Sequence, residues 1–472
     1  MNKIYSLRAL YLSLSRFHFT ALVFLLVTVA SPIRGQSGAE PTREQLLNGL
    51  TILLWQRPTD PNVILKLRIN GGAAFDLAGK DGMMSLLGDA LFPDPSTREY
   101  VTEELGGKLE VRTDFEAIEV TISGKGSEFE RIVELFRNAV LSTQLSPENV
   151  RRLRDERIKE LSSKTGKPSE IADRAVAQRL FGHFPYGHTV EGTLETIARI
   201  ERGDLMLARE RFMNADNAAL AIYGGVDKPR AMRAVRQLLG PWTKSDRTVP
   251  ATFRQPDPPD SRILIVNNVN LDQTEIRIAT RSVARFDRDD VPTALLAQVI
   301  HDRWVAATPD LTSVDVDHEP HLLPGMLVMR ASAPNASVQK AISAARQIMG
   351  ALAQSAPTAT ELEHARQVVL AELSRRTSSV EALEDAWLDA ITFRNQLGSS
   401  GLPTLLDAVR SATASDIQRA AGRVINKNNP VAIVVVGNSQ QLRASFTDAF
   451  EVRESAAETN TSSSSGTPTK KP

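Results

Sequence analysis

The sequence predicts an α+β chain built from two homologous repeats, each an antiparallel-rich sheet with helices packed on one face. Three observations lead there. Runs of strand-like segments are followed by runs of helical ones instead of alternating strictly, which favours α+β over α/β. The same order of elements returns after a proline-rich stretch at 246–261. Two short anchors also recur at a constant offset of about 212 residues: Ile158-Lys159-Glu160-Leu161 against Leu370-Ala371-Glu372-Leu373, and Ile222-Tyr223-Gly224 against Val435-Val436-Gly437. A constant offset over separate anchors is the mark of duplication.

In chain order, Leu50 to Trp55 and Val63 to Ile69 read as strands joined by a Pro-containing turn at Arg57 to Pro61. A glycine-punctuated loop then leads into a helix from about Gly82 to Phe92, with Met83, Leu86, Leu87, Ala90 and Leu91 on its buried side. Ser96 and Glu99 form a capping box for a second helix that stops at Gly106-Gly107. Lys108 to Arg112 and Glu116 to Ile122 are further strands. The second of them alternates, with Ile118, Val120 and Ile122 inward and Ala117, Glu119 and Thr121 outward. Helices follow at about Ser127 to Ser142 and from Ser146-Pro147 to Ser163, and the half closes with a helix ending near Met213 and a strand at Ala219 to Gly224. The second half repeats this with strands near Ile263 and at Glu275 to Thr280, a helix near Val291 to Val305, strands at Leu311 to Asp317 and Met326 to Ala331, then helices.

The chain of 472 residues is too long for one core. It divides into a signal peptide at 1–30, an N-terminal domain at 44–245, a linker at 246–261, a C-terminal domain at 262–451 and a disordered tail at 455–472. The leader has Lys3, Arg8 and Arg16 before an apolar run from Phe19 to Ala30, the layout of an export signal and too short to span a bilayer comfortably. Export to a periplasmic or otherwise extracytoplasmic location is therefore expected, with no stable membrane span once the signal is removed. There is no cysteine, so no disulfide or thiol chemistry contributes. With 56 basic and 56 acidic residues the formal net charge is zero, which argues against nucleic acid or anionic lipid as partner.

The stretch Asn70-Gly71-Gly72 through Gly82-Met83-Met84-Ser85-Leu86-Leu87-Gly88-Asp89-Ala90-Leu91-Phe92 resembles the signature of the insulinase/pitrilysin-like zinc peptidases, the inverzincins, and also the mitochondrial processing peptidase subunits. In that family a glycine loop leads into a helix bearing H-x-x-E-H, whose histidines bind zinc while the glutamate activates water. Leu105-Gly106-Gly107, Pro185-Tyr186-Gly187 and Gly192-Thr193 support the resemblance, which covers about Leu46 to Glu451. Laid on this sequence, the pattern puts Ser85 and Asp89 in place of the histidines and Gly88 in place of the general-base glutamate; Glu160 matches the third ligand, at a spacing from Asp89 a few residues shorter than the family's. The resemblance therefore implies a member that lacks the zinc motif and is inactive by itself. No cofactor is expected on this chain, and zinc is expected in a partner subunit. A weak oxygen site of Ser85, Asp89 and Glu160 would suit a hard cation better than zinc, and a peptidase using Asp89 and Glu160 with an unusual metal is the remaining catalytic option.

The family's substrate-gripping R-E-x-x-G-L-x-Y segment corresponds to Ala306 to Val314, where neither the Arg nor the Tyr is in register and Arg303 falls about a turn early. Elsewhere, His183 and His188 read as surface loop residues and His364 as a helical residue without a close partner. Asp315, Asp317, His318, Glu319 and His321 read as a hydrated hairpin tip more readily than as a metal site. No Gly-x-Ser-x-Gly elbow or phosphate loop competes. The resemblance also implies that the edge strand Leu109, Glu110, Val111, Arg112, Thr113 accepts an extended peptide through its backbone; the alternative is an edge merely protected by Lys108, Glu110 and Arg112. The expected function is the non-catalytic subunit of a heteromeric zinc peptidase that degrades or processes peptides, partnered by an active zinc-bearing insulinase-like chain or a second copy of itself. The alternative is a stand-alone homodimeric peptide-binding or envelope scaffold protein.

Overall fold

The computed structural model describes residues 40–163, 166–245, 253–254, 256–269, 271–376, 379–392 and 401–454. The signal peptide and the tail expected from the sequence lie outside these residues, as does part of the linker.

The first half contributes strands β1 (Thr42–Gln45), β2 (Thr51–Gln56), β3 (Asn62–Asn70), β4 (Leu109–Thr113), β5 (Ala117–Lys125) and β6 (Ala218–Gly224). Its helices are α1 (Met83–Asp89), α2 (Pro95–Glu103), α3 (Phe129–Leu141), α4 (Pro147–Ser163), α5 (Pro168–Phe181), α6 (Leu194–Ala198), α7 (Arg202–Phe212) and α8 (Lys228–Leu239). The second half contributes β7 (Ile263–Asn267), β8 (Thr274–Arg281), β9 (Thr312–Glu319), β10 (Met326–Ala333), β11 (Ala432–Gly437) and β12 (Phe450–Glu454). Its helices are α9 (Asp290–Ala307), α10 (Val338–Gln354), α11 (Ala359–Arg376), α12 (Val380–Thr392), α13 (Gly401–Ser411), α14 (Ala414–Val424) and α15 (Ser439–Ser445).

Two six-stranded mixed sheets result, in the orders β1-β2-β6-β3-β5-β4 and β12-β7-β11-β8-β10-β9. Five strands correspond one to one. Within these five, the parallel pair β2 with β6, or β7 with β11, is followed by antiparallel neighbours. Both sequence anchors fall on matching elements, α4 with α11 and β6 with β11. The sixth strand breaks the repeat: β1 enters from the N-terminal side antiparallel to β2, whereas β12 closes the second sheet parallel to β7.

One face of each sheet packs on helices of its own half. Ile52, Leu54, Leu67, Val120 and Ile222 meet Leu87, Phe129, Phe136 and Val235 in the first core. Ile265, Ile278 and Met329 meet Leu296, Trp304 and Ile342 in the second.

The other face of each sheet is covered by a helix from the opposite half, which the sequence reading missed. Leu383 and Leu388 of α12 lie on Leu53, Trp55, Ala219 and Ala221 of the first sheet. Ala172, Val176 and Leu180 of α5 lie on Leu264, Val266, Val434 and Val436 of the second. This double coverage explains why β2 and β11 read as unbroken apolar runs. Each exchanged helix is fixed by an ion pair at the equivalent position: Lys66 of β3 binds Asp385 of α12, and Arg277 of β8 binds Asp173 of α5 at 2.6 Å.

Two local expectations are corrected. Asp94, not Ser96, caps α2: its side chain accepts the Ser96 N–H, and Pro95 occupies the first turn, where a missing N–H costs nothing. Glu119 does not face solvent. It is only 5% exposed, because α12 covers that face, and it is held by Arg68 and Arg112 at 3.0 and 3.1 Å.

Candidate functional site

The chain enters α1 through Gly82, whose φ of 92° lies in the left-handed region that favours glycine. Asp76 in the preceding loop accepts the N–H groups of Gly82 and Met84 at 2.7 and 2.8 Å and so closes the open end of the helix. Met84, Leu86 and Leu87 anchor α1 in the first core, leaving Ser85 and Asp89 turned toward α4.

What meets them there is Arg157, three residues before Glu160 on α4. Its guanidinium donates from Nη1 to Ser85 Oγ at 3.1 Å and to the Glu191 carbonyl at 3.4 Å, and from Nη2 to Asp89 Oδ2 at 2.7 Å. Its Nε lies 3.6 Å from Glu160 Oε2. The Arg157 side chain is 10% exposed, so the cation is enclosed by the groups it binds. Burial pushes the Asp89 carboxyl above its ordinary range, and the Arg157 charge opposes that shift. The structure thus brings Ser85, Asp89 and Glu160 together, as their motif positions suggest, but around a guanidinium.

Gly88 is closed in a different way. A Cβ placed there would stand 2.7 Å from Thr113 Oγ1, with Ile118 and Val111 methyls behind it. Any side chain at this position would start against Thr113 and Val111 of β4 and Ile118 of β5. Sequence reasoning missed both Arg157 and Thr113. Arg157 had a faint signal, an arginine one turn from a candidate ligand on the same helix face; Thr113 had none, because its approach to Gly88 is tertiary.

The residues present do not fit a zinc ion. A catalytic zinc needs three protein ligands with an open fourth position. Among the described residues no group of three or more His, Asp or Glu side chains could hold a metal. The sequence cluster at 315–321 is dispersed: Asp315, Asp317 and Glu319 surround Arg330, while His318 turns to the other face and binds Asp290 and Ser282 at 2.9 and 3.0 Å. His321 stacks on Tyr186, with ring centroids 4.2 Å apart, and lies 3.4 Å from Glu116. The hydrated tip expected from the sequence is instead a seam between halves, where Tyr186 donates to Glu116 at 3.1 Å and accepts the Leu323 N–H at 3.0 Å. His364 does have a partner, Asp302 at 3.5 Å. Arg303 is held by Glu361 through two bonds of 2.7 and 3.0 Å. Two open clefts of about 600 and 890 Å³ flank α7, but neither takes in Ser85, Asp89, Arg157 or β4.

Beside this closed site, β4 is the outermost strand of its sheet, with β5 as its neighbour. The backbone bonds Ser123 N–H to Lys108 O and Asp114 N–H to Ala117 O place the bonded pairs at even-numbered β4 residues. In an antiparallel ladder the alternate residues then point their N–H and C=O groups away from the partner. Leu109, Val111 and Thr113 therefore offer backbone groups at the open edge, within contact of α1.

A two-repeat α+β scaffold carrying a peptidase-type helix pair without its metal ligands is the class these features define. Residues 51–194 match the family model described as Insulinase (Peptidase family M16), and residues 199–369 match the one described as Peptidase M16 inactive domain. The chain belongs to the insulinase family of peptidases, as a member lacking the zinc-binding motif.

It is similar to an uncharacterized zinc protease of Rickettsia bellii, at 22% identity over 43% of this chain and 51% of that one. It is also similar to the mitochondrial-processing peptidase subunit beta of Saccharomyces cerevisiae, at 24% over 59% and 61%. The chain spans about half the length of the curated relatives it matches. Among solved structures it resembles the peptidase M16 inactive domain from Pseudomonas fluorescens, with a TM-score of 0.73 and 18% identity over 88% of this chain and all of that one. A protease from Helicobacter pylori gives a TM-score of 0.74 and 15% identity over 84% and 100%. These two likenesses establish the fold.

Proposed function

We propose that this chain is the non-catalytic half of an exported heteromeric zinc peptidase: an active zinc-bearing insulinase-like chain performs the cleavage, and this chain holds extended peptide along β4. The observation that carries the reading is the pairing of a site closed at both ligand and general-base positions with an adjacent open strand edge. Hydrolysis here lacks a base, since Gly88 has no side chain and Asp89 is bound to Arg157. Backbone capture needs neither base nor metal, only unpaired N–H and C=O groups in register. Two similar proteins bear subunit names, the processing peptidase subunit beta and the cytochrome b-c1 complex subunit 1 of Homo sapiens, which supports a multichain setting. The leader-like composition of residues 1–30 supports an extracytoplasmic, periplasmic location.

The test uses Val111→Pro. Val111 N–H points outward, so proline removes an edge donor while leaving the β5 ladder intact, and edge strands tolerate proline. Fluorescence anisotropy with labelled extended peptides should show binding to the wild type and a loss of about tenfold or more in the variant, the equivalent of a removed hydrogen bond or two. Co-purification from the native envelope should recover an H-x-x-E-H chain. Equal binding by V111P would refute the edge-strand reading. Recovery of a stable homodimer without any zinc-bearing chain would move the assignment to a stand-alone scaffold.

A further inference from the structure

We propose that Arg157 is an internal cation that has taken over the metal's position, so that the site is shut to divalent ions by its own guanidinium and not merely by the loss of two histidines. The proposal accepts that Ser85, Gly88 and Asp89 are the degenerate motif, but it does not depend on a partner chain.

The three motif positions able to face a metal, Ser85, Asp89 and Glu160, all turn toward one group, two of them with bonds of 3.1 and 2.7 Å. A fourth contact, the Glu191 carbonyl, comes from the loop that precedes α6. The guanidinium is therefore fixed from α1, α4 and a loop at once, as a bound ion would be. Its planar fork offers five donors and a permanent charge, which suits two carboxylates, a hydroxyl and a carbonyl. A divalent ion seated about 2.0–2.2 Å from side chains at these positions would have to occupy the same volume as this cation and be repelled by it. Restoring ligands around Arg157 should then fail to restore metal.

The experiment compares S85H/D89H, which with Glu160 supplies three ligands, against S85H/D89H/R157A. Zinc affinity is measured by calorimetry on the isolated chain, and Co²⁺ absorption reports the ligand geometry. Wild type and S85H/D89H should show no tetrahedral cobalt spectrum. The triple variant should gain one and bind zinc about a hundredfold tighter or more. Lysine keeps the charge, so S85H/D89H/R157K should behave like S85H/D89H. If S85H/D89H alone binds as tightly as the triple variant, or if the folded triple variant binds nothing, the proposal fails. If the triple variant folds only with zinc present, that supports it; if it stays unfolded with zinc, and S85H/D89H/R157Q also binds none, that overturns it. These readouts do not involve peptide capture or a second chain, so failure here is distinguishable from failure of the proposed function.

Discussion

Glu384 should make this protein less stable as pH rises from acid to mildly alkaline, against the usual behaviour of carboxylates. It lies on α12, fully buried against the first sheet, and among the described residues neither carboxyl oxygen has a hydrogen-bond partner. At the matching place on α5, one residue before Asp173 as Glu384 precedes Asp385, the chain has Ala172. Burial pushes the Glu384 carboxyl from 4.5 up to about 8; Lys66 opposes the shift, and Asp385 and Glu381 add to it. The folded state holds the proton more tightly than the unfolded one, so the stabilising effect is complete below pH 4.5 and is lost as pH rises toward 8, with a flat region above. At about 1.4 kcal/mol per unit, the interval amounts to up to roughly 5 kcal/mol. Glu384→Gln keeps the shape and removes the titration. Its buried amide costs about 1–3 kcal/mol, but equally at every pH. Urea unfolding at pH 5, 7 and 9 should show E384Q gaining on the wild type by several kcal/mol across the series. Because burial also pushes Asp76 up to about 8 and Asp317 to about 7, the readout is the difference between variant and wild type, not the wild-type slope. Parallel curves would refute the reasoning.

Gly88→Ala drives a methyl against Thr113 Oγ1 and should cost about 1–3 kcal/mol in chemical denaturation, with Thr113→Ala relieving part of that cost in a double-mutant cycle. Additive costs would show that the two residues do not compete for space. The Arg303–Glu361 pair holds Glu361 down to about 2, so its contribution is present above pH 4.5 and is lost as pH falls toward 2. Arg303→Ala should cost roughly 1 kcal/mol at pH 7, less at pH 2–3, and leave peptide affinity unchanged. A matching fall in peptide affinity would assign Arg303 a gripping role after all.

What could be read from the sequence was whatever depends on neighbours in the chain. The strands near 51–55 and 63–69 and the helix after Gly82 follow from local periodicity and were placed within a few residues, and the repeat anchors follow from their constant offset along the chain. The replacements at Ser85, Gly88 and Asp89 were legible only through the resemblance to the family's H-x-x-E-H motif. Arg157 could not be assigned, because its role depends on a hydroxyl and a carboxylate about 70 residues earlier brought to it by the core. Glu119 failed for the same reason. Alternation correctly gave its face, but solvent on that face was an assumption, and α12 arrives there from more than 250 residues downstream. His318 and His321 are three residues apart yet belong to different environments, because a strand turns successive side chains to opposite sides and the turn after it redirects the chain.

The exchange of α5 and α12 also sets a timetable for synthesis. The first sheet is complete once Gly224 has been made, but the helix that covers its second face ends at Thr392. Leu53, Trp55, Ala219 and Ala221 can therefore be covered only after that later segment has joined the fold. The α5 helix comes earlier in the chain and carries Asp173 where α12 carries Asp385, a near copy of the eventual partner of Lys66. In the finished fold that earlier helix lies on the sheet made after it, and the later helix on the sheet made before it, so neither half is complete without the other.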